Sequence, residues 1–133
     1  MTGVAAAGRP SPLRAGFEVT RRDGGHATIT MTVRPDEPVF AGHYPAFPIL
    51  PGVCVIEHIR LGALAAIPAT GPGWDMIEIG SARFLSPVFP GDRLTTNLEW
   101  TPGDGSWWCA ATAATERGIA AKVKLGFADR GQP

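Results

Sequence analysis

One run of the chain does most to limit what it can fold into: residues 52–67, GVCVIEHIRLGALAAI, apolar on nearly every side and broken only by Glu57, His58 and Arg60. Proline stands just before it, at Pro51, and just after it, at Pro68. Proline is tolerated where a helix begins and stops one where it ends. The run therefore predicts a single helix of about four turns. A helix that is hydrophobic all round must be covered all round, so the rest of the chain has to wrap it.

The rest of the chain reads as strands. Residues 16–22 and 26–34 alternate in polarity about Asp23, Gly24 and Gly25, a hairpin signal. In the second run Thr28, Thr30 and Thr32 alternate with Ile29, Met31 and Val33. Downstream, residues 75–85, 93–101, 106–114 and 118–128 read as four more strands, with turns at Pro90-Gly91 and through Glu116, Arg117 and Gly118. Between the hairpin and the helix stand prolines 35, 38, 45, 48 and 51. That density excludes helix and central strand, leaving an ordered loop that carries Phe40, His43, Tyr44 and Phe47. The expected class is α+β, one antiparallel sheet wrapped around one central helix. A single sheet covers only part of such a helix, so a second chain is expected to cover the remainder.

The 133 residues amount to one domain, 16–128, preceded by a loose tail at 1–15. Lys+Arg and Asp+Glu both count 12, so the chain lacks the basic footprint of a nucleic-acid binder. No run approaches the ~18 apolar residues that span a bilayer, and no apolar signal segment opens the chain. The expectation is a soluble, cytoplasmic protein. Cys54 and Cys109 sit in apolar surroundings and are expected as buried thiols, and no Cys/His cluster has zinc spacing.

His43 in the loop and Glu57 in the helix are the candidates for chemistry. A histidine titrates near neutrality and can carry protons. A carboxyl inside an apolar helix is expected to have its charged form disfavoured and so to hold a proton. The first amides of a helix, at Gly52 and Val53, are unpaired donors at the positive end of the dipole. A base, an acid and an amide that polarises a carbonyl are what an elimination beside a thioester requires. Each residue also has a plain reading: a loop histidine can be structural, and a buried glutamate can be half of a structural ion pair. His58, about 100° around the helix from Glu57, and His26, at a strand start, are set aside as non-catalytic. Asp75, Glu78 and Asp92 read as turn or surface residues.

The segment FAGHYPAFPILPGVCVIEHI, residues 40–59, resembles the active-site signature of the β-hydroxyacyl-acyl-carrier-protein dehydratases. The matching positions are Phe40, Gly42, His43, Tyr44, Pro45, Pro48, Pro51, Gly52, Val53 and Glu57. ARFLSPVFPGDRL, residues 82–94, is similar to the family's later strand-turn-strand block, and the likeness extends over about residues 16–128. The resemblance implies a hot-dog fold and dehydration of a 3-hydroxyacyl thioester to the trans-2-enoyl form, in fatty-acid or polyketide assembly. It implies His43 taking the α-proton, Glu57 of a partner chain serving the hydroxyl, and the Gly52 and Val53 amides at the carbonyl. Phe40, Tyr44, Phe47, Leu61 and Phe84 would wall the acyl tunnel. No metal or dissociable cofactor is implied, the acyl group arriving on the phosphopantetheine of an acyl carrier protein or coenzyme A. The assembly would be a homodimer or a heterodimer with a second hot-dog chain, or a higher oligomer of these. The alternatives are an acyl thioesterase on the same fold, or a partner subunit of a heteromeric dehydratase. One departure stands out: Leu61 occupies the place of the family's helix glutamine and His58 that of a small residue, so the usual hydrogen bond supporting the acid is expected to be missing.

Overall fold

The computed structural model describes residues 16–35, 49–69 and 73–129. In chain order these form β1 (Glu18–Asp23), β2 (His26–Thr32), α1 (Gly52–Ala66), β3 (Trp74–Phe84), β4 (Arg93–Pro102), β5 (Ser106–Thr115) and β6 (Gly118–Asp129). The strands make one antiparallel sheet in the order β1-β2-β4-β5-β6-β3. Two-residue turns close β1–β2 at Gly24-Gly25 and β5–β6 at Glu116-Arg117. Gly24 has φ +58°, a left-handed conformation that a side chain would strain.

Alternation decides which face is buried. Ala27, Ile29 and Met31 of β2, Leu94, Thr96, Leu98 and Trp100 of β4, and Val123, Leu125 and Phe127 of β6 all turn inward onto α1 and are buried. The intervening side chains face out, because successive strand residues point to opposite faces. α1 presses on this inner face through Cys54, Val55, His58, Ile59, Gly62 and Ala63. Its closest approach is at Gly62, where a Cβ would stand 1.9 Å from Ile29 Cδ1. The missing side chain is what lets the helix sit so near β2. Both cysteines are buried, and burial pushes the Cys109 thiol up to about 12.

The opposite side of the helix is left partly open. Val53 is 68% exposed, and Ile56, Glu57, Leu61 and Leu64 are half-buried. Beside them runs β3, the sheet's last strand, paired only to β6 and exposed from Ile77 onward. Ile77, Ile79 and Phe84 all lie on this open edge. An exposed apolar strand edge is a template for pairing with another chain. Among the described residues, no helix is long and apolar enough to cross a membrane.

Candidate active site

α1 opens without a side-chain cap. Pro51 holds the entry in extended geometry, φ −60° and ψ 150°, and there is no acidic residue in the first turn. The Pro51 carbonyl accepts from the Cys54 and Val55 amides, at 2.9 and 3.2 Å. Gly52 and Val53 precede these bonds, so their amides belong to the unpaired first turn at the positive dipole end. The Phe84 ring stands directly over this start: a Cβ on Gly52 would lie 2.8 Å from Phe84 Cζ. The absent side chain is what makes room for Phe84.

Two apolar grooves meet at that ring. One, about 670 Å³, runs between the helix start and residues 84–88 and is walled by Ile49, Leu50, Val55, Leu85 and Val88. The other, about 370 Å³, lies between α1 and β3 and is walled by Val53, Ile56, Met76 and Ile79. Gly52, Val53 and Phe84 border both, while Leu61 borders neither. The second groove contains two charged side chains, Glu57 and Arg60.

Those two form a fork. Arg60 Nε donates to Glu57 Oε1 at 2.8 Å and Arg60 Nη2 donates to Oε2 at 2.9 Å. Their side chains are only 4% and 14% exposed. Arg60 Nη1 also stands 3.7 Å from Asp75 Oδ1, on β3. The hydrogen bonds donated to Glu57 raise the already high guanidinium value further. Both carboxylate oxygens are thus engaged by a planar donor pair, the strongest and most directional form of this contact. Removing one member of a buried pair leaves the other uncompensated, at a cost on the order of 3–5 kcal/mol. The ion pair given as the plain reading of a buried glutamate is present: Glu57 is paired with Arg60. The support expected to be missing at Leu61 is supplied one position earlier, by Arg60. The signal was present as an acid-to-base spacing of three on a helix, which places both on one face. Asp75, read as a turn or surface residue, takes part in this group.

His58 faces the core. It is 1% exposed, and its Nε2 lies 3.2 Å from Thr96 Oγ1. Burial lowers its pKa to about 4, so it is neutral at physiological pH. It cannot reach the Glu57 groove, in agreement with the helical-wheel reading. His26 pairs with Glu99 at 3.1 Å on the surface. Asp92 is no idle turn residue. It accepts from the Phe89 amide at 2.7 Å and from both terminal nitrogens of Arg117. His43, Phe40, Tyr44 and Phe47 lie outside the described residues. Among the described residues, no group of three or more His, Cys, Asp or Glu is placed to hold a metal.

A sheet of this order curled over one helix, with the acid groove along its open edge, defines a hot-dog fold. Solved structures agree. The dehydratase heterocomplex ApeI:P from Xenorhabdus doucetiae superposes with a TM-score of 0.67, covering 87% of this chain and 97% of that one at 23% identity. A hypothetical thioesterase with coenzyme A from Streptococcus pneumoniae gives 0.68, at 15% identity and 84% and 83% coverage. At such identities the likeness concerns the fold alone. The chain belongs to the ApeI-like family, described as ApeI dehydratase, whose model matches residues 19–122. It is also similar to the 3-hydroxyacyl-acyl-carrier-protein dehydratase FabZ of Pelotomaculum thermopropionicum, 35% identical over 113 residues and 81% of each chain. FabZ of an Anaeromyxobacter species is 34% identical, over 75% of this chain and 68% of that one. The chain spans 61% of the FabZ of Anaeromyxobacter dehalogenans, at 37% identity.

Proposed function

We propose that this chain removes water from a 3-hydroxyacyl thioester to give the trans-2-enoyl thioester, with Glu57 as the group that serves the departing β-hydroxyl. The observation that carries the reading is the groove itself. A nearly buried carboxylate, held by Arg60, stands in a cleft whose other walls are apolar, beside the uncapped start of a helix. The cleft suits an acyl chain, the carboxylate suits a hydroxyl, and the amides of Gly52 and Val53 suit a thioester oxygen. His43, taking the α-proton, enters on the sequence motif. The α-proton goes to His43, the C–O bond breaks, and the hydroxide leaves as water with that proton, while the Glu57 carboxylate, ionised in the Arg60 fork, accepts a hydrogen bond from the β-hydroxyl and orients it.

The same reading includes a second chain. The open side of α1 and the exposed edge of β3 border the Glu57 groove, so a protomer paired along that edge would close it. The His43 of one chain would then meet the Glu57 of the other. A homodimer or a pair with a second hot-dog chain both meet this need. The acyl group would be delivered on phosphopantetheine, from an acyl carrier protein or coenzyme A, with no metal or further cofactor, in the cytoplasm. The pathway would be fatty-acid or polyketide assembly.

The test is incubation of the purified protein with 3-hydroxyacyl thioesters on carrier protein and on coenzyme A, followed by mass spectrometry. Loss of one water from the acyl group is expected. Intact substrate at high enzyme concentration, alone and with a candidate partner chain, overturns the reading. The Arg60 fork favours a second reading, since a held carboxylate is suited to activating water for thioester hydrolysis. Release of free thiol in the same incubation distinguishes it, because dehydration releases none.

A further inference from the structure

Among the described residues, Arg60 is the charged side chain that pairs with Glu57, and nothing in the motif around His43 accounts for it. It is 3% exposed, so it is not a solvated surface cation. Its Nε and Nη2 each meet a different carboxylate oxygen, and the remaining terminal nitrogen turns to Asp75. The guanidinium is therefore fixed from two elements, α1 behind it and β3 beside it. Met76, Ile79 and Phe84 supply apolar walls to the same groove. They limit the rotamers open to both charged groups.

We infer that Arg60, braced by Asp75, is the positioning residue of the acid site, holding the Glu57 carboxylate at one fixed angle in the groove. The inference rests on the proposed function of Glu57 and deepens it. A glutamate has three side-chain torsions, and an unheld one would spread over several rotamers in a groove of about 370 Å³. A fork that satisfies both oxygens fixes the carboxylate plane as well as its place. Arg60 touches no reacting atom in this scheme. It acts by aiming Glu57, so its loss reduces turnover more than substrate binding.

The experiment is steady-state kinetics on 3-hydroxyacyl-coenzyme A with the full chain and four variants, Glu57→Gln, Arg60→Ala, Arg60→Lys and Asp75→Asn. Arg60→Ala is expected to lower kcat about thirtyfold with KM changed by less than about threefold. Arg60→Lys, which keeps the charge and loses the fork, should fall between it and the parent. Asp75→Asn should lower kcat about threefold. Methylguanidinium at millimolar concentration should restore part of the kcat of Arg60→Ala and leave Glu57→Gln and the parent unchanged. A folded Arg60→Ala with the parent's kcat overturns the inference, as does a loss expressed in KM alone. Where Arg60→Ala does not fold, the other two variants decide: parental kcat in both Arg60→Lys and Asp75→Asn overturns it, and reduced kcat at constant KM supports it. Parental activity in Glu57→Gln sinks the functional reading instead, so the two failures are separable.

Discussion

The described residues include two arginine-carboxylate forks of the same chemistry in different settings. Arg60 and Glu57 share one helix face at the edge of a groove, with the arginine sealed from water. Arg117 and Asp92 join the β5–β6 turn to the segment before β4, with the arginine 44% exposed and stacked 4.9 Å over the Phe89 ring. The second fork closes a loop. Asp92 also accepts from the Phe89 amide, and nearby Gly91 donates to the Val33 carbonyl. The first fork ties no turn: it lies along α1, reaches β3 through Asp75, and borders the groove. Placing an ion pair where water is scarce costs more than placing it at a surface. A pair kept in such a groove sets its carboxylate beside whatever the groove binds.

The comparison breaks most sharply on activity. Glu57→Gln should lower turnover of a 3-hydroxyacyl thioester about a thousandfold, while Arg117→Gln, at the other fork, should leave kcat and KM at the parental values. Enzyme assays on both variants check this, and equal losses would erase the distinction between the forks. The next effect concerns pH. The folded-state pKa of His58 lies at about 4, below the 6.5 it has when exposed. Its contribution to stability is complete above pH 6.5 and is lost as pH falls toward 4, where the unfolded chain binds a proton that the core refuses. The loss across that window should be about 3 kcal/mol, and it should shrink in His58→Leu. Urea melts between pH 4 and 7 measure both.

A smaller effect is expected at the helix–sheet contact. Gly62→Ala should gain about 1 kcal/mol in helix propensity and lose more through overpacking against Ile29, for a net destabilisation of about 1–2 kcal/mol. Thermal unfolding checks the sign, and a stabilised variant would mean that β2 yields to the helix. The least effect belongs to the surface fork. Arg117→Gln should lower the Tm slightly, by an amount that fades as salt is raised. Arg117 holds the Asp92 carboxyl below its usual range. The stability this brings is present above the ordinary aspartate value and is lost as pH falls through the lowered one.

The fold was largely legible because its elements are marked by period and by punctuation. Prolines 51 and 68 bracket α1, glycines 24 and 118 mark turns, and Leu94, Thr96 and Leu98 alternate as β4 requires. Glu57 was legible as the odd carboxylate in an apolar helix. Its company was not. The Glu57–Arg60 spacing could be read, but Asp75 reaches the pair only because β3 runs alongside α1, a neighbour relation that no local pattern records. The neighbour of Gly52 was not legible for the same reason, since Phe84 approaches it from 32 positions along the chain.

That approach ties two distant positions into one heritable unit. With the Phe84 ring at 2.8 Å from where a Cβ on residue 52 would stand, any larger residue at 52 displaces the ring, and the ring is the partition between the two grooves. Drift at the helix start would therefore register as a change in the shape of both grooves, unless a smaller residue arose at 84 in compensation. A larger residue at 52 is thus accommodated only with a change at 84 or a shift of its ring.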